Sequence, residues 1–139
     1  MISNMQDGWC DITIFGYTFP HRASYMNDYP TEIADALLDA AQEKHAEFIV
    51  DMEEYGTAEC SIGNGAFTVD YLASMIERRT IDIHRAGGIC SAMSELLSDI
   101  ESNWDAMIDW GMPMSVEEYA DREKLLREIC DELRETLQQ

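Results

Sequence analysis

With 139 residues, 46% of them hydrophobic, and no low-complexity tract, the chain has the length of one domain (1–139) and can bury a core without disulfide or metal. Twenty-eight Asp and Glu against nine Lys and Arg leave a net charge of −19, which opposes direct binding to nucleic acid or to an anionic membrane. Lys44 and Lys124 are the only lysines, and the stretch from Ala86 to Asp121 carries eight acids and no base.

The opening residues, Met1 to Asp7, lack the basic and apolar stretches of a secretion signal. No apolar run reaches the roughly 18 residues of a membrane span, so a cytoplasmic protein is expected. Cys10, Cys60, Cys90 and Cys130 are far apart with no C-x-x-C pair, which fits free thiols in a reducing compartment. Cys10 to Phe19 is β-branched and aromatic with Gly16 at a turn position, and predicts a short hairpin. After a loop from Pro20 to Pro30, Thr31 suits the N-cap of a long helix with Ile33, Leu37, Ala41, Phe48, Met52 and Tyr55 on its apolar stripe. Gly56 would end it. The alternative stops the helix near Ala46 and makes Glu47 to Glu53 a strand, because Phe48-Ile49-Val50 is β-prone; the periodicity favours the long helix.

Thr57 to Gly65 predicts a short strand or loop closing on Gly63-Asn64-Gly65. Thr68 then caps a helix from Val69 to Arg79 that buries Val69, Leu72 and Ile76. Gly87-Gly88 marks the start or a kink of the next helix, whose apolar face holds Ile89, Met93, Leu96, Leu97, Ile100, Trp104, Met107 and Ile108. Gly111-Met112-Pro113 breaks the chain. Ser115-Val116-Glu117-Glu118 is a capping box, with Met114 and Tyr119 as a hydrophobic staple, and its helix runs towards Leu137 over Leu126, Ile129 and Leu133. The expected architecture is α+β and predominantly helical, with about four helices and a small N-terminal β-hairpin or sheet.

In the first long helix Glu32, Asp35, Asp39, Glu43, Glu47, Asp51 and Glu54 recur at steps of three or four, which predicts one acidic ridge on a helix roughly 35 Å long. Glu95, Asp99, Asp105 and Asp109 predict a second ridge. Glu117, Asp121, Glu128, Glu132 and Glu135 predict a third, partly neutralised by Arg122, Lys124, Arg127 and Arg134. A solvated polar face is the plain explanation. Yet each like-charge pair costs about 0.2–0.5 kcal/mol, and a net charge of about 2–8 already keeps a small domain soluble. The ridges therefore read as surfaces for a basic partner. Trp104, Met107 and Ile108 fit the core, whereas Trp110 and Met112 fit an interface with a partner or in a homodimer.

In charge, size and helical arrangement the chain resembles the DNA-mimic inhibitors of phages and mobile elements, the anti-restriction and acidic anti-CRISPR proteins. That resemblance implies an inhibitor that occupies the nucleic-acid site of a basic protein, such as a nuclease or its complex, in the host cell cytoplasm. It carries over no residue, because no motif is shared. The competing readings are an immunity protein or antitoxin against a basic nuclease toxin, an acid-rich halophile housekeeping domain, and a small enzyme. For the enzyme, His21, His45, His84 and the cysteines are the candidates, and only His84 and Cys90 lie close, across a glycine turn. Gly63-Asn64-Gly65 lacks the glycines and bases of a phosphate loop, and no EF-hand spacing occurs. No catalytic residue, cofactor or metal is expected.

Overall fold

The computed structural model describes residues 1–72, 75–110 and 115–139. Strands β1 (Ile2–Gln6), β2 (Trp9–Ile14), β3 (Tyr17–Thr18) and β4 (Ala23–Ser24) come first, followed by helix α1 (Tyr29–Ala41). Strands β5 (Ala46–Asp51), β6 (Thr57–Gly63), β7 (Ala66–Leu72) and β8 (Arg79–Asp82) then precede α2 (Gly88–Ser102), α3 (Trp104–Ile108) and α4 (Val116–Leu137). Among the described residues these strands form two four-stranded antiparallel sheets, so the fold is α+β but not predominantly helical.

In the first sheet β1, β3 and β4 all pair with β2. The Phe15-Gly16 turn between β2 and β3 has φ of +52° and +77°, the left-handed geometry that lets a two-residue turn follow strand twist. The second sheet is the meander β5-β6-β7-β8. Its β6–β7 hairpin turns at Asn64-Gly65, again with both φ positive at +52° and +75°. Alternation sorts the strands cleanly: Ala46, Phe48 and Val50, then Ala58, Cys60 and Ile62, then Phe67 and Val69 face the core.

Two expected helices are therefore strands. The expected helix from Thr31 to Tyr55 ends at Ala41, and its second half is β5; this is the weighed alternative, with the strand at Ala46–Asp51. Phe48, Val50 and Met52 are buried two residues apart, a period that only a strand can satisfy. The break is made at Glu43, whose φ of +60° turns the chain while Lys44 N–H reaches back to the Asp39 carbonyl at 3.0 Å. The expected helix from Val69 is instead β7, where Thr68 pairs across to Ser61 and Thr80 rather than capping.

Helix α1 starts one turn earlier than Thr31 predicts. The Asp28 carboxylate accepts the Thr31 N–H at 3.4 Å, and Pro30 fills the first turn, where a missing N–H is harmless. Its Ile33, Ala34 and Leu37 are fully buried against β5, β6, α2 and α4. Full burial of such an Ile or Leu is worth about 1.5–3 kcal/mol. Phe15 packs on Phe67 (centroids 5.3 Å), joining the first sheet to the second in one continuous core.

Gly87 at φ +100° opens α2, as its position suggests. Asn103 ends it, its side-chain amide bonding the Asp99 carbonyl at 2.9 Å, and α3 follows directly. Ser115 caps α4 by accepting Glu118 N–H at 3.2 Å. Met114 of the expected staple lies outside the described residues. No described helix is long and apolar enough to cross a membrane.

Candidate functional site

The acids expected on one helical ridge are split between two elements, and five of the seven meet again. Glu32, Asp35 and Asp39 of α1 and Glu47 and Asp51 of β5 all border one groove of about 520 Å³, with Asn27, Ala36, Phe48 and Ile49 also lining it. The sequence folds this way because α1 presents its exposed side at steps of three and four. β5 presents Glu47, Ile49 and Asp51 on the face opposite Phe48 and Val50. Glu43 sits in the α1–β5 turn and lines a different depression, and Glu54 lies exposed in a 3-10 turn at Glu53–Tyr55.

The groove carboxylates are poorly compensated. Among the described residues no ion pair reaches Glu32, Asp35, Asp39 or Asp51, and Glu47 has only His45, at 3.1 Å. Asp51 accepts the Glu53 N–H at 2.7 Å. Partial burial, and then the charges of Asp28 and Asp35, push the Glu32 carboxyl above its ordinary range. Partial burial, followed by the charges of Glu132, Asp39 and Asp28, does the same to Asp35. Glu132, expected on a separate ridge of α4, thus adds its field to this groove. No described cluster of three His, Cys, Asp or Glu is arranged to hold a metal ion. The negative charge is spread along the groove.

The second expected ridge does not form a surface of its own. Asp99 and Glu95 hold the Met1 α-amino group at 2.6 and 2.9 Å, and Asp99 also accepts Ile2 N–H at 3.1 Å. Burial alone would lower the amine's pKa, but the hydrogen bonds and charges of Asp99 and Glu95 raise it above its ordinary 8.0. Asp105 and Asp109 are exposed on and just after α3. Among the described residues no ion pair reaches the third-ridge acids Glu117, Asp121, Glu128, Glu132 and Glu135; Arg127 instead meets Glu123 at 2.9 Å, and Arg134 meets Asp131 at 3.1 Å and Glu101 at 3.2 Å.

Trp110, expected at an interface, is 5% exposed. It stacks on Tyr25 with centroids 4.0 Å apart, and its indole N–H donates to the Asn27 carbonyl at 2.8 Å. It therefore fixes the loop that carries Asn27 into the groove. Met112 lies outside the described residues. Arg122 turns from its expected ridge into the molecule, where it binds both oxygens of Asp28, the Thr31 hydroxyl and the Met107 carbonyl, clipping α1, α3 and α4 together. Neither the Asn27–Trp110 bond nor the Arg122–Asp28 pair had a sequence signal, since the partners lie 83 and 94 residues apart.

Three of the four thiols, Cys10, Cys60 and Cys130, are buried. Burial pushes Cys60 up to about 12, and burial followed by the Asp11 charge does the same to Cys10. Burial also raises Cys130. Cys90 and His84 are both exposed, and among the described residues no hydrogen bond joins a histidine to a cysteine. His21 is stacked on Tyr55 with centroids 4.0 Å apart.

No protein-family model matches this chain, and comparisons with curated proteins and with solved structures give no match either.

Proposed function

We propose that this chain is a non-catalytic acidic binding protein of the cytoplasm, which inhibits a basic partner by occupying a surface that otherwise holds nucleic acid. A nuclease or its complex, as targeted by phage and mobile-element anti-defence proteins, is the partner class that fits best. The observation that carries this reading is the groove between α1 and β5, which five carboxylates border and where, among the described residues, the one ion-pair partner within reach is His45, beside Glu47. Crowding them costs the free domain stability, and a cationic surface recovers that cost on binding. The net charge of −19 adds long-range attraction to such a surface and repels nucleic acid and acidic membranes. Self-association through the groove is opposed by the same charge.

The test is capture from a lysate, followed by competition. Cationic partners should be displaced by duplex DNA and by salt above about 0.3 M, where screening acts within a few ångströms. A domain carrying Asp35→Lys and Asp39→Lys should capture none of them. Capture of neutral proteins, indifferent to DNA, salt and the double substitution, would sink the proposal.

A further inference from the structure

β5 is the outer strand of its sheet, so alternate backbone groups point away from β6. Three bonds identify the outward set as residues 47, 49 and 51. The Asn27 side-chain amide donates to the Ile49 carbonyl at 3.2 Å, and the Tyr29 hydroxyl accepts Asp51 N–H at 2.9 Å and donates to the Asp51 carbonyl at 3.3 Å. Asn27 and Tyr29 thereby seal the C-terminal part of the edge. Upstream of them the Glu47 N–H, the Glu47 carbonyl and the Ile49 N–H find no hydrogen-bond partner among the described residues. This open stretch borders the groove, and Ile49, 46% exposed, stands beside it.

An open strand edge is a template for another strand. A second copy of this chain fits it badly, because edge-to-edge pairing would set Glu47, Asp51 and the α1 acids of both copies against each other. A basic segment fits on both sides. Side chains of an added strand alternate, so one set would point towards Asp35 and Asp39 on α1, and the other would lie beside Glu47 and Ile49 on the open face.

We propose that β5 accepts an extended lysine- or arginine-bearing segment of the partner protein as a fifth strand, its basic side chains seated against the α1 carboxylates. This rests on the basic-partner reading above and specifies how the partner is held. Backbone bonds to Glu47 and Ile49 supply register, and the carboxylates select for charge.

The probe is a capped, fluorescently labelled hexapeptide of alternating Lys and Val, measured by anisotropy at low salt. It is compared with two versions, N-methylated either at the Lys or at the Val residues. All residues of one type share a backbone direction, so one methylated version should lose at least tenfold in affinity and the other should retain it. Ile49→Pro, which removes an outward N–H and leaves the Phe48 and Val50 ladder to β6, should weaken the unmodified peptide similarly. If Ile49→Pro misfolds, the peptide pair still decides. Equal binding by both methylated peptides overturns strand addition and leaves the basic-partner reading standing, as does a failure of the unmodified peptide to bind the wild-type domain. Unchanged peptide binding by an Asp35→Asn, Asp39→Asn variant shows that the groove is not the site, and overturns both.

Discussion

Replacing Asp35 by Asn should make the free domain more stable and its hold on a cationic partner weaker. Asp35 is exposed on α1 and has no ion pair among the described residues, so the substitution removes no favourable contact. It has like-charged neighbours at Glu32 and Asp39 on its own helix, and Glu132 approaches from α4. At about 0.2–0.5 kcal/mol for each of three such pairs, relief amounts to roughly 0.6–1.5 kcal/mol, and Asn and Asp have similar helix propensity. For a domain of this size that is a rise of about 2–7 °C in Tm. Circular-dichroism melts at about 10 mM and 300 mM salt, where the Debye length falls from about 30 Å to about 6 Å, should show the gain shrinking as salt rises. An Asp35→Asn domain no more stable than wild type at low salt, or a gain that ignores salt, would refute the crowding argument.

The pH dependence follows from two sets of groups with the same sign. Glu32 and Asp35 have raised pKa values in the fold, so their contribution to stability is greatest below the unfolded carboxylate range and is lost as pH rises through the folded values. Tm should therefore rise from pH 7 to about pH 5, a rise that Asp35→Asn flattens; a fall over that window would contradict it. The Met1 amine is also raised, so its stabilisation is complete below its ordinary 8.0 and fades as pH climbs through the higher folded value. Melts above pH 8 should show that decline, and Asp99→Asn should both lower Tm at pH 7 and remove it. Arg122→Met should cost about 2–4 kcal/mol in urea unfolding, because it strands Asp28 and frees the Met107 carbonyl; the value is held below that of a fully buried pair because Asp28 is 36% exposed. A loss under about 1 kcal/mol would mean the clip is dispensable.

What was legible depended on how local each signal was. The Cys10 to Phe19 hairpin, the Gly87 start of α2 and the Ser115 cap each rest on one or two residues whose backbone geometry is their own, and each is where the pattern puts it. The region after Ala41 misled because a step of four is one helical turn and also two strand pleats. Phe48 and Met52, or Glu47 and Asp51, satisfy both, and only the inward Val50 separates them. The helix stop at Glu43 carried no warning, since glycine or asparagine usually takes that left-handed position. Asn64-Gly65 was a readable hairpin turn, but Thr68 looked equally like a helix cap. All five groove carboxylates were singled out by spacing alone. Their arrangement was not, because it depends on which face of β5 meets which face of α1, and nothing in the intervening residues encodes that pairing.

Charge on an edge strand has a second explanation, protection against unwanted pairing, and the two can be separated by position and sign. Glu47 and Asp51 lie on β5 itself, and either would deter a second copy of the chain from adding to the edge. Glu32, Asp35 and Asp39 are on α1, off the strand itself, where they crowd one another at a cost in stability. Protection also has no preference for sign, and lysine is the usual guard of an exposed edge. An edge bordered by Glu47, Asp51 and the α1 acids repels copies of itself and, on the proposal above, attracts a cationic strand. If protection were the whole role, neutralising Asp35 and Asp39 would leave a more stable domain with nothing lost; if the groove holds a partner, the gain in stability comes with a loss of binding.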